Sequence, residues 1–126
     1  MTVLVTLYMY LACTFDGDKC YTTPFIITRE AVAIVSCESG DGHTYGTFDP
    51  YARSKTNDGG FFQFNDRTYK SLTGRTNAER DTPDEQYKTF LQLWDGGKGW
   101  KHWKASQPCW SQWMEINSNN VAVWKD

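Results

Sequence analysis

The run Cys37-Glu38-Ser39-Gly40 closes an apolar stretch, and the run Asp58-Gly59-Gly60-Phe61-Phe62-Gln63-Phe64-Asn65-Asp66-Arg67 follows it across a polar one. Upstream of the first run, Thr28 can cap a helix that holds Glu30 in its first turn and buries Ala31, Val32, Ile34 and Val35. Such a helix stops before Gly40, which puts Glu38 in its last turn. Residues 40–60 are rich in Gly, Asp, Asn, Thr and Ser and include Pro50, a composition that predicts loop or hairpin turn, with Asp58-Gly59-Gly60 reversing the chain. Phe61-Phe62-Gln63-Phe64 then reads as a short strand, and Thr68 to Leu72 as the start of another helical turn.

Further on, Thr82-Pro83-Asp84-Glu85 has the form of a helix start, with Thr82 as N-cap, Pro83 at the first helical position and Glu85 completing a capping box. Tyr87, Phe90, Leu91 and Trp94 repeat at i, i+3, i+4 and i+7 and predict its apolar face, and Gly96-Gly97 stops it. Trp100 and Trp103 follow at helical spacing, then Cys109 and a tail with Trp110, Trp113 and Trp124. At the other end, Val3, Val5, Leu7, Met9 and Leu11 alternate, which predicts a buried strand, and Phe15-Asp16-Gly17-Asp18 a turn.

A chain of 126 residues fits one domain. Residues 1–27 form a strand and turn extension, 28–110 the main domain and 111–126 a tail packed on it. Thirteen Lys plus Arg against fifteen Asp plus Glu give no overall field to attract nucleic acid or anionic lipid, although residues 51–126 are mildly basic. The run Val3 to Ala12 is about half the roughly 20 residues a membrane-spanning helix needs, so no span is expected. It lacks the positive n-region of a secretory signal, and Leu11-Ala12-Cys13 resembles a lipoprotein cleavage site only faintly. His43 and His102 stand alone, Asp16 and Asp18 do not complete a calcium loop, and no metal or other cofactor is expected.

Cysteines 13, 20, 37 and 109 allow three pairings, none with the spacing of a zinc or redox site. Disulfides are the simpler reading, with a short Cys13–Cys20 loop and a long Cys37–Cys109 loop as the simplest pattern; four buried thiols are the alternative. Disulfides place the protein outside a reducing cytosol.

A carboxyl in the last turn of a helix feels the negative end of the helix dipole, and an indole beside it removes water; both disfavour the charged form. Glu38 is thereby a candidate proton donor near neutral pH. Asp58, beside Thr56, Asn57 and two glycines, is a candidate solvated carboxylate. One donor and one anion are what glycosidic cleavage uses. By spacing alone the pair is weak, because fifteen acidic residues make many pairs.

In their order, the C-E-S-G run at 37–40, the Asp58 to Arg67 run, Trp100-x-x-Trp103 and Cys109 resemble the lysozyme-like superfamily. The C-E-S-G start, Gly60, Gln63, Phe64, Thr68 and Tyr69 at their spacing, and the late paired tryptophans with a Cys are similar to the resuscitation-promoting-factor domain. Glu38-Ser39 with Asp58, Gly60, Gln63, Phe64, Asn65 and Arg67 resembles animal-type lysozymes instead. The resemblance covers roughly residues 28–110 and implies an α+β, mainly helical fold with a cleft between a helical lobe and a small β-hairpin lobe. It implies Glu38 as general acid, Asp58 as second carboxylate, and Gln63 and Asn65 as the floor that positions an N-acetyl sugar. Trp100 would be the indole beside the acid, Tyr69 and Trp103 further substrate contacts, and Cys37–Cys109 a disulfide.

The activity implied is cleavage of the β-1,4 bond between N-acetylmuramic acid and N-acetylglucosamine in peptidoglycan, on the extracellular or periplasmic side. A phage lysin or virion enzyme, held by other virion or wall proteins, fits the size and cysteines. Resuscitation-factor and transglycosylase relatives use a single Glu, so transglycosylation by Glu38 alone is the alternative reaction. A non-catalytic wall-glycan-binding module is the alternative class.

Overall fold

A computed structural model describes the backbone of residues 5–13 and 20–126 and the side chains of 5–9 and 24–126. The fold is α+β and mainly helical, with three small antiparallel strand pairs among the described residues. Strands β1 (Val5–Cys13) and β2 (Cys20–Thr28) pair in register, Val5 opposite Thr28 and Cys13 opposite Cys20. Helix α1 (Arg29–Glu38) leaves β2 directly, and its N-cap Thr28 accepts a hydrogen bond from the Ala31 amide as expected. The remaining elements are β3 (Asp58–Gly59), β4 (Phe64–Asn65), α2 (Asp66–Thr73), α3 (Pro83–Trp94), α4 (Gln107–Trp110), β5 (Met114–Ile116) and β6 (Ala122–Trp124). A 3-10 helix, Trp100–Ser106, joins the α3 region to α4. Among the described residues no helix is long and apolar enough to cross a membrane.

Helix α1 is the axis of the core. Ala31 through Ser36 are buried on every side, against Phe25 and Ile27 from β2, the Phe61, Phe62 and Phe64 cluster, and Trp100, Trp103 and Trp110 from the C-terminal third. A helix that is apolar all round belongs at such a centre. The N-terminal hairpin therefore contributes directly to the core that the rest of the chain shares.

Four local expectations differ from the structure. Strand β1 forms, but Val5, Leu7 and Met9 point outward, Leu7 being 60% exposed, and Ile26 opposite Leu7 is exposed with them. The inward positions are Tyr8, Phe25 and Ile27, because one face of a two-stranded ribbon must meet α1 and aromatic Tyr8 and Phe25 fill that space. Val3, the side chain of Leu11 and the Phe15 to Asp18 turn lie outside the described residues.

Phe61 to Gln63 form a turn, and of the expected strand Phe64 alone lies in one, β4. The chain reverses tightly here, Gln63 donating its amide to the Gly60 carbonyl, with Gly60 at φ 81° and Gln63 at φ 55°. A strand would send neighbouring side chains to opposite faces, whereas all three phenylalanines are buried. Phe61 meets Phe25 and Phe48, Phe62 stacks on Phe90 at 4.2 Å and Phe64 meets Tyr69. The helix after the turn starts at Asp66 rather than Thr68, because Asn65 caps it by accepting from the Arg67 amide.

Helix α3 begins at its predicted cap, Thr82 accepting from the Glu85 amide. Its buried face is turned from the predicted stripe, with Leu91 44% exposed and Gln86 fully buried. Gln86 earns that place by hydrogen bonding: Oε1 accepts from the Phe61 amide, and Nε2 donates to the carbonyls of Pro50 and Asp81. A buried amide with its partners supplied is compatible with the core.

Candidate active site

Helix α1 ends at Glu38 because its C-cap, Ser39, is tied elsewhere. Ser39 Oγ donates to the Phe61 carbonyl at 2.8 Å and accepts from the Asp49 amide. Gly40 then lets the chain turn away, for a Cβ there would lie 2.2 Å from the Thr47 carbonyl oxygen. The carboxyl of Glu38 is left at the negative end of α1, partly buried, in the wall of a cleft of about 370 Å³.

Asp58 reaches the same cleft from the hairpin, its residue paired with Asn65 across β3 and β4. The Thr56 hydroxyl donates to Asp58 Oδ2 at 2.9 Å, and the Asp58 amide donates to Ser54 Oγ. Arg53 holds the hairpin by reaching both Asp66, at the start of α2, and Glu79.

Gln63 and Asn65 line the cleft between the two carboxylates' elements. The Gln63 amide nitrogen is spent on the Gly60 carbonyl at 2.8 Å and, more weakly, on Ala52, so its oxygen is the atom left for a ligand. Asn65 uses its oxygen as the α2 cap, which leaves its amide nitrogen.

The indole of the cleft is Trp103. Its Nε1 donates to the Phe62 carbonyl at 3.0 Å, fixing the ring beside the hairpin. Trp100 lies elsewhere: its Nε1 donates to the Asn120 carbonyl and its ring meets Trp110 edge-on. Tyr69 is also outside the cleft, buried with its hydroxyl on Asp81; burial and that carboxylate push its pKa far up.

The tertiary partners of each indole set this sorting, and the 3-10 segment is itself kinked at Trp103, whose backbone (φ −117°, ψ 26°) is not helical. Trp100 and Trp103 are buried, Lys101 and Lys104 are exposed, and His102 and Ala105 line the cleft together with Trp103. His102 thus joins the cleft wall, as do Ser54, Thr56, Thr68 and Leu93. No local sequence signal marked His102, because its place in the cleft depends on the kink at Trp103.

Cys37 and Cys109 form a disulfide that ties the end of α1 to α4. The side chains of Cys13 and Cys20 lie outside the described residues, although their backbones face each other across the first hairpin. Among the described residues no cluster of His, Cys, Asp or Glu is arranged to hold a metal.

Electrostatically Glu38 is the distinctive group. Burial raises its pKa from the ordinary carboxyl value to about 7, nearby Asp58 adds to the rise, and a hydrogen bond with Ser106 opposes it. A carboxyl that stays protonated at neutral pH and opens on a cleft can donate a proton to a bound ligand. Compared with protein-family models, curated proteins and solved structures, the chain matches none.

Proposed function

We propose that the protein is a peptidoglycan-cleaving glycoside hydrolase of the lysozyme type. The observation that carries this reading is Glu38, with a pKa pushed up to about 7, facing the cleft that also holds Asp58. Glu38 protonates the glycosidic oxygen as the bond to the leaving sugar breaks. Asp58 stabilises or attacks the oxocarbenium-like carbon that remains. The oxygen of Gln63 and the amide nitrogen of Asn65 offer an acceptor and a donor, the pair an N-acetyl group requires.

The choice of β-1,4-linked N-acetylmuramic acid and N-acetylglucosamine as substrate comes from the sequence resemblance. The Cys37–Cys109 disulfide supports an oxidising, extracellular or wall-facing setting. A phage or virion enzyme is part of this proposal.

The test is release of soluble muropeptides from purified walls by the wild type and by Glu38→Gln, with the products weighed by mass spectrometry. Loss of roughly 10²–10⁴-fold in rate, with walls still bound, is the expected result for removal of a general acid. Undiminished digestion by the variant shows that Glu38 is not the acid, and wall binding without muropeptide release by the wild type overturns the enzyme reading in favour of a glycan-binding module. Reducing sugar ends in the products support hydrolysis; 1,6-anhydro ends replace it with transglycosylation, in which Glu38 acts without need of Asp58.

A further inference from the structure

The hydroxyl of Ser106 stands 3.1 Å from Glu38 Oε1 and 3.1 Å from the carbonyl oxygen of Trp103. A serine hydroxyl has one proton to give and lone pairs to receive one. Both neighbours are acceptors when Glu38 is ionised, so Ser106 can then serve only one of them fully. When Glu38 is protonated the arithmetic closes: Glu38 donates to Ser106 Oγ, and Ser106 donates to Trp103. The Trp103 carbonyl keeps a second donor throughout, Trp110 Nε1 at 2.9 Å, so it tolerates losing Ser106.

We propose that Ser106 is the positioning residue of the acid: its proton lies on the Trp103 carbonyl while Glu38 is protonated and turns to Glu38 Oε1 once Glu38 has given its proton away. No covalent bond to Ser106 is made or broken. The Glu38 O–H bond breaks, its proton goes to the leaving oxygen, and the carboxylate left behind receives the hydroxyl. Ser106 thus holds the protonated carboxyl in place until its O–H turns from Ser106 to the leaving oxygen, and stabilises the anion that remains after transfer.

Position supports this use. Ser106 stands three residues after Trp103 in the same 3-10 segment, past the kink at Trp103, and its bond to the Trp103 carbonyl ties the hydroxyl to the backbone that carries the cleft indole. The Cys37–Cys109 disulfide holds the two segments together one residue before Glu38 and three after Ser106. The other titratable groups lining this cleft are Asp58 from β3 and His102 from the 3-10 helix, and both stay unchanged in the experiment.

The inference rests on Glu38 as the acid, but its test reads the Glu38 proton rather than wall digestion. Carbon-13 NMR follows the Glu38 carboxyl and the Trp103 carbonyl of the wild type, Ser106→Ala and Ser106→Thr from pH 4 to 9. A charge-assisted hydrogen bond is about twice as strong as a neutral one, so Ser106→Ala is expected to raise the Glu38 midpoint by roughly half a unit to one unit. Ser106→Thr restores it. In the wild type alone, the Trp103 carbonyl signal moves with the same midpoint as Glu38, a result that needs no variant to fold. A flat Trp103 signal, or an unmoved Glu38 midpoint in folded Ser106→Ala, overturns the proposal. If these shifts occur while Glu38→Gln still digests walls, the hydrogen-bond switch stands and the assignment of Glu38 as the general acid falls.

Discussion

At the scale of single residues, Glu38 should cost the fold stability that the site uses. Its pKa is near 4.5 in an unfolded chain and about 7 in the folded one. The folded state therefore holds the proton more tightly. Its contribution is present in full below pH 4.5 and is lost as pH rises through about 7. The shift corresponds to about 3 kcal/mol in order of magnitude. Glu38→Gln, a neutral isostere whose amide can donate to Ser106 as the protonated acid does, should be more stable than the wild type at pH 8 by up to that amount. The advantage should vanish at pH 4, as urea midpoints at the two pH values will show; equal midpoints at pH 8 would mean that the Glu38 site is more solvated than the cleft suggests. If Glu38 is the general acid as proposed, wall digestion should fall as pH rises through about 7, because the acid ionises. Glu38 was legible in the sequence through its motif and its place in the last helical turn. Ser106 was not, because its role depends on a backbone turn that brings together residues far apart along the chain, and a lone serine carries no periodic signal.

At the scale of elements, starts were more readable than faces. Thr28 and Thr82 cap their helices as their sequences predict, since capping is local chemistry between neighbours. Thr82→Ala should cost about 1 kcal/mol by thermal or urea unfolding and leave the rate of wall digestion unchanged, because α3's N-terminus lies outside the cleft. Asn65→Ala, by contrast, removes the α2 cap and a cleft amide together, so it should lose about the same stability and raise the substrate concentration needed for half-maximal rate. Faces were less readable because they depend on what lies across the gap. Leu91 completes the expected stripe of α3 yet stays exposed, while Gln86 is buried with partners from two distant segments, Pro50 and Phe61, and from nearby Asp81. Trp100 and Trp103 share one repeat, and only the tertiary partners of each indole, Asn120 and Phe62, decide which one enters the cleft.

At the scale of the whole molecule, the Cys37–Cys109 bond closes the long way round. It spans 72 residues, joining the last turn of the central helix to α4 and enclosing both hairpin strands of the cleft, α2 and α3. Cross-linking a loop of that length removes enough freedom from the unfolded chain to stabilise the fold by about 4 kcal/mol in the chain-entropy model. That would be a large part of the roughly 5–15 kcal/mol by which domains hold together. The bond also lies beside both Glu38 and Ser106, so its loss has a second effect, on the alignment of the acid. The Cys37→Ala, Cys109→Ala double variant should therefore unfold at a lower urea concentration, by an amount near 4 kcal/mol. Where it is still folded, it should show a weakened Glu38–Ser106 contact, read as a Glu38 midpoint displaced upward from about 7. A variant that loses stability but keeps the wild-type Glu38 midpoint would show that the disulfide serves the unfolded-chain entropy alone, and that the core around α1, with Trp103 and Trp110 packed against it, is enough to hold the acid and the hydroxyl in place.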